Sequence, residues 1–140
     1  MAEFYSQLQF LDYKLENINL NRLDHKIDDS VFDFSPSIAV NEENSVGGLH
    51  IKFIVQHNDI ELRGECTGYF SFDESLITAD VEYLISHNGL TILFPYLRAA
   101  ITNFTVAANL EPLIIPTINI IELMRDKYSQ DENSKEDISQ

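Results

Sequence analysis

The chain has 140 residues, enough for one domain with a real core and cramped for two. Its 23 Asp and Glu against 9 Lys and Arg give a formal net charge of -14, which argues against a nucleic-acid binder and disfavours an anionic membrane surface. Hydrophobic residues make up 44%, too many for a disordered acidic chain, and the one cysteine, Cys66, excludes a disulfide framework and a Cys-based zinc ribbon.

The amino-terminal MAEFYSQLQF lacks a basic region followed by an apolar core, so it does not read as a secretion signal. No apolar run reaches the ~18 residues of a spanning helix. A cytoplasmic protein without membrane insertion is expected. Leu11, Tyr13 and Leu15 alternate with Asp12, Lys14 and Glu16, the period of a half-buried strand. Leu8 and Phe10 before them, and Ile18 and Leu20 after them, sit in the opposite phase. Two phase changes predict two bulges. The polar stretch Asn21 to Ser30 reads as a crossing between strands.

Alternation resumes at Phe32, Phe34, Ile38 and Val40, with Pro36 marking the first half of the run as loop or edge. Gly47-Gly48 closes a polar cluster and predicts a turn. Leu49, Ile51, Phe53 and Val55 form a third strand, and Asn58-Asp59 a tight reversal. Ile60, Leu62, Cys66, Phe70 and Phe72 share one face of a fourth. Short links favour an antiparallel meander covered on one face.

The second half is helical. Leu76 to Ser86 predicts a short helix that Asn88-Gly89 ends. Phe94, Leu97, Ile101, Phe104 and Ala108 follow helical spacing, with Pro95 in the first turn. That stripe is narrow, like a seam against a partner helix. Asn109 to Thr117 is a loop in which Pro112 and Pro116 flank Leu113, Ile114 and Ile115. Ile118 to Tyr128 predicts a last helix, and the polar, acidic residues 129–140 a disordered tail. The expectation is one α+β domain over 1–128: a four-stranded antiparallel sheet with a long helix and a shorter C-terminal helix on one side.

No catalytic or metal constellation emerges. His25, His50, His57 and His87 are scattered, and Cys66 lies on the apolar phase of its strand. No GxSxG, P-loop or GxGxxG occurs. An enzyme is therefore not expected, nor any cofactor. The apolar surface exceeds what one sheet face needs, which points to oligomerisation or an apolar binding site.

The run Ile92-Leu93-Phe94-Pro95-Tyr96-Leu97-Arg98, followed by Ile101-Thr102, resembles the signature that opens the long helix of the SecB export-chaperone family. Phe34-Ser35-Pro36 resembles that family's Trp-x-Pro, and Gly68-Tyr69-Phe70-Ser71 its Gly-Ile-Phe-Ser. The resemblance implies the same α+β fold, assembled as a homotetramer, a dimer of dimers. It implies an ATP-independent holdase for unfolded polypeptides or preproteins, with Sec-dependent export as one destination. The client groove would be lined by Phe32, Phe34, Leu113, Ile114, Ile115, Ile120, Leu123, Met124 and Tyr128. The oligomer seam would use Phe94, Leu97, Ile101, Phe104 and Ala108.

One departure bears on export. The family's carboxylates that dock the motor SecA correspond here to Asn17, Asn21 and Arg63, with Glu16, Glu61 and Glu65 nearby. A dedicated SecB-like chaperone of one partner, such as an antitoxin in a toxin–antitoxin pair, is the alternative. A small apolar ligand-binding domain is a third reading.

Overall fold

Period-two alternation produces strands wherever one face is buried. A computed structural model describes residues 7–116 and Glu122. It contains β1 (Leu8–Arg22), β2 (Val31–Asn41), β3 (Val46–His57) and β4 (Ile60–Phe72), all antiparallel in one sheet of order β1-β4-β3-β2. Strands β2, β3 and β4 are sequential neighbours, but β1 lies beyond β4. The simple meander is thus replaced by a Greek-key path. The crossing after β1 makes this possible by passing over the β3–β4 reversal, where Leu23 N–H donates to Asp59 O at 2.6 Å and Ile27 N–H to Asn58 O at 2.8 Å.

Both predicted bulges are present. The β1–β4 register shifts between Phe10 and Asp12 and again between Glu16 and Asn19. Leu11 falls in the first shift and is exposed, so it does not share the buried side of Tyr13 and Leu15. Asn17 falls in the second with φ 56°, a left-handed conformation that asparagine tolerates. Strand β2 pairs with β3 along its whole length, and Pro36 sits in it because β2 is an edge strand.

Gly47-Gly48 is not the turn. The turn is 42–45, with Ser45 at φ 52°, and both glycines lie inside β3. Space explains Gly47: a Cβ there would stand 2.4 Å from Ile85 Cδ1.

The helical half differs most from expectation. Helices α1 (Thr78–Leu84) and α2 (Leu90–Ala107) are joined by a π turn, Ile85–Gly89, into one unbroken helix. Asn88-Gly89 does not end it. Gly89 keeps helical dihedrals and lets the helix approach β4, since a Cβ there would lie 3.3 Å from Phe70 Cζ. The π turn inserts one extra residue, moving the buried stripe from Val81 and Ile85 to Leu90, Leu93, Leu97 and Ile101. Pro95 lies inside α2, not in its first turn, and withholds an intrahelical donor from Thr91.

By length and composition alone Thr78–Ala107 is long and apolar enough to cross a bilayer. The sequence reading missed such a run by dividing it at Asn88-Gly89. Its buried stripe packs into the core with Phe34, Phe53, Cys66 and Phe70 of the sheet, as a core helix does. Each such side chain contributes roughly 1.5–3 kcal/mol by leaving water.

Helix α2 stops in a Schellman arrangement. Asn109, at φ 59°, donates to Val106 O at 3.0 Å, and Leu110 N–H to Thr105 O at 2.9 Å. The chain then turns back along the helix it has left. Of the predicted last helix only Glu122 is described, in helical conformation.

Candidate functional site

The returning segment is the most distinctive local arrangement in the protein. Arg98, Thr102 and Thr105 lie at helical spacing on one side of α2. Arg98 Nη2 donates to Ile115 O at 3.0 Å, and Thr102 Oγ1 to Leu113 O at 2.7 Å. Thr105 Oγ1 donates to Thr102 O at 2.7 Å and accepts from Leu113 N–H at 3.0 Å. Helix side chains thus bond the Leu113 N–H and the Leu113 and Ile115 carbonyls of a segment that joins no sheet, and the buried Thr105 hydroxyl is used twice.

With its backbone fixed, the segment presents side chains alternately. Leu113 and Ile115 are 2% and 1% exposed, whereas Ile114 is 72% exposed. Ile114 borders a shallow, open depression of about 260 Å³ shared with Pro95, Arg98, Ala99, Thr102 and Ile115. Pro95, Ala99, Thr102 and the exposed Val106 form one outward stripe by their spacing. Chemically this is an apolar rail beside hydrogen-bonding side chains. An exposed aliphatic side chain set beside this depression offers a contact surface for an apolar group.

The other groove residues are distributed as follows. Phe34 is buried, with the Phe94 ring edge-on at 5.4 Å, so it is core. Phe32 is half-buried on the edge strand opposite Val55. Leu113 and Ile115 anchor the rail from beneath. Ile120, Leu123, Met124 and Tyr128 lie outside the described residues.

The seam residues divide too. Phe94, Leu97 and Ile101 are buried within the single chain, where they pack into its own core. A seam between copies needs accessible side chains, and from that stripe only the half-buried Phe104 and the exposed Ala108 supply surface. Narrowness of the stripe reflects a helix lying on a sheet, not a coiled-coil partner.

Sequence reasoning met Pro95, Arg98 and Thr102 only as members of the signature run and gave no site role to them, nor to Ala99, Thr105 and Val106. The available signal was three hydrogen-bonding residues at i, i+4 and i+7 just before a proline-flanked apolar loop.

Away from the rail, Phe10, Tyr13 and Tyr96 stack between β1 and α2, with centroids 5.3 Å apart for Phe10–Tyr96 and 5.0 Å for Tyr13–Tyr96. The outer sheet face is polar. His50 Nε2 lies 3.1 Å from Glu65 Oε1, Asn17 donates to the same carboxylate, and Arg63 binds Glu61. The hydrogen bond from Asn17 holds the Glu65 carboxyl below its usual range. Asn21 is in register with Glu61. Of the three carboxylates near the expected motor-docking positions, Glu61 and Glu65 are thus engaged, and Glu16 is exposed. Among the described residues no group of His, Cys, Asp or Glu is arranged to hold a metal ion.

No family model matches the chain. An uncharacterized protein of Methanocaldococcus jannaschii, MJ0357, is 38% identical over 65 residues, covering 46% of this chain and 41% of that protein. The chain thus spans about two-fifths of that relative's length. Among solved structures, the Mycobacterium tuberculosis Rv1957 SecB-like chaperone, in complex with a ChAD peptide from the Rv1956 HigA1 antitoxin, superposes with a TM-score of 0.69. It is 14% identical, and the superposition covers 84% of this chain and 95% of that one. The likeness shows a SecB-like fold.

Proposed function

We propose that this protein is an ATP-independent chaperone that holds polypeptides in extended, non-native form. The observation that carries this reading is the rail: α2 already holds one extended segment, 113–115, through side-chain bonds to its backbone, and leaves Ile114 exposed beside it. Recognition of backbone plus apolar side chains is what an extended client offers whatever its sequence. The SecB-like fold supports the same reading.

Between a general and a dedicated client range, we favour a dedicated partner of the antitoxin kind. The SecB-like neighbour was solved with an antitoxin peptide, and the outer-face carboxylates Glu61 and Glu65 are tied to Arg63, His50 and Asn17. Export through SecA is the weaker reading for that second reason. A small apolar ligand is weaker still, because the depression is open and smaller than the ~300–1,000 Å³ usual for enclosed ligand sites. A cytoplasmic tetramer belongs to this proposal, with the seam drawn from surface residues such as Phe104, Ala108 and Tyr96.

The test is light-scattering mass after size exclusion, alone and with a slow-refolding client presented unfolded and folded. Capture of the unfolded form alone supports the proposal. Ile114→Ser and Val106→Ser together should weaken capture about tenfold, the loss of roughly one buried aliphatic contact, without changing mass. Repeated with a panel of unfolded proteins that includes an antitoxin segment, the assay supports the dedicated reading if one client is held far more tightly than the rest, and overturns that preference if all are held alike. Capture of no member of the panel, or equal capture with both changes, overturns the chaperone proposal.

A further inference from the structure

Among the described residues, the opposite end of the long helix leaves a second face uncovered. Ile77 and Tyr83 are 64% and 63% exposed there. Tyr83 stacks on His87 with ring centroids 4.1 Å apart, so its ring stands as a platform instead of folding onto the body. Helical spacing places Asp80, Tyr83 and His87 on one outward strip, away from the buried Val81 and Ile85.

Three elements meet at this end. Thr78 Oγ1 donates to Glu42 of the β2–β3 turn, and Phe72 N–H at the end of β4 donates to Ser45 O of that turn at 3.1 Å. Glu42 is thus tied to the start of the helix with Glu43 beside it in the turn, and Asp73, Glu74, Asp80 and Glu82 lie within a few residues of Ile77 or Tyr83 along the chain. The stretches 27–51 and 64–97, which supply all of these residues, contain no Lys or Arg. The Asp73 carboxylate accepts the Ser75 N–H at 3.0 Å, which holds its carboxyl below the usual range.

We propose that this α1 end is a docking surface for a basic polypeptide segment bearing a large apolar side chain. Charge complementarity selects the occupant. A second copy of this chain would bring the same negative sign, and a phosphate-rich partner would be repelled as well. A Lys or Arg segment is attracted, and its apolar residue covers Ile77 while a cation lies over the Tyr83 ring. The site is separate from the rail: Tyr83 and Thr102 are 19 residues apart on the helix, roughly 28 Å at 1.5 Å per residue. The inference does not depend on the chaperone reading and stands or falls alone.

The test uses the full chain and a fluorescein-labelled peptide of alternating Lys and Leu, read by fluorescence anisotropy across a salt series. Oligolysine and a Glu/Leu peptide are the comparisons. The Lys/Leu peptide should bind, oligolysine more weakly, and the Glu/Leu peptide not at all. Ile77→Ser with Tyr83→Ser should weaken binding about tenfold, as loss of central anchors does. Glu43→Gln, Glu74→Gln and Glu82→Gln together should weaken it and flatten its salt dependence. Asp28→Asn, Asp29→Asn and Glu111→Gln remove the same formal charge elsewhere and should leave it unchanged. Equal weakening by the two charge sets would reduce the effect to bulk charge and overturn the inference. So would unchanged binding in the Ile77/Tyr83 variant, or loss of binding in Ile114→Ser instead.

Discussion

The two ends of the long helix solve opposite problems. At the C-terminal end, Arg98, Thr102 and Thr105 tie a returning segment to the helix and leave one side chain, Ile114, standing out. At the N-terminal end, one side-chain bond from Thr78 joins the helix to the neighbouring turn, and the exposed residues have carboxylates within a few residues along the chain. The first end is built around backbone recognition, with Arg98 and Glu111 the charged residues of 95–116; the second is built around charge. The difference teaches that apolar exposure in this protein comes in two chemical settings, and that each selects its own kind of polypeptide.

The middle of the helix sets how far the ends act independently. Leu97 is fully buried between them. Leu97→Ala should cost about 2–5 kcal/mol, through lost burial and the cavity left behind. Denaturant midpoints measure that loss. Binding at both ends should weaken together in this variant only as the protein unfolds. Loss at one end in a still-folded protein would show that the π turn uncouples them.

Thr105→Val gives a smaller effect confined to one end. It keeps the shape of the side chain but removes the acceptor of the buried Leu113 N–H, at about 1–3 kcal/mol. Hydrogen exchange at Leu113 should accelerate while amides of α1 keep their protection. Equal acceleration at both ends would mean that the segment is a bystander to a global loosening.

The strands were legible because burial of one face forces period two, and even the β1 bulges announced themselves as phase changes at Leu11 and Asn17. The Greek-key order was not legible, since alternation says which face is buried and nothing about which strand is the neighbour. Gly47-Gly48, Asn88-Gly89 and Pro95 misled for a shared reason. Local punctuation was read as chain reversal or helix start, whereas Gly47 and Gly89 supply room for Ile85 and Phe70, and Pro95 rides the exposed side of a helix held by its packing. The rail was half visible. The proline-flanked loop drew notice to Ile114, and Arg98 and Thr102 stood in the signature run, but their bonds to the loop, like those of Thr105, exist only once the loop folds back onto them. The stripe of Phe94, Leu97 and Ile101 could not disclose from spacing alone whether it faced a sheet or another copy.

Cys66 offers the finest probe of the comparison. It lies in the core on β4, two residues from Gly68, where a Cβ would stand 3.0 Å from both Leu93 methyls. Fraying of either helix end should leave it covered, whereas lifting of the middle should expose it. Burial pushes its thiol up to about 11 from an ordinary value of 9.0. The sign follows from where the proton is held. Between those values the unfolded chain has released the proton and the folded chain keeps it, so stability falls as pH rises through that window and is unaffected by this group below it. Tyrosines and lysines titrate in the same range, so the contrast with Cys66→Ala isolates the thiol. The gap between the urea midpoints of wild type and Cys66→Ala should stay constant from pH 7 to 9 and then shift, with the wild type losing more. Parallel curves would mean that water reaches the thiol, and hence that the helix lifts at its centre before either end lets go.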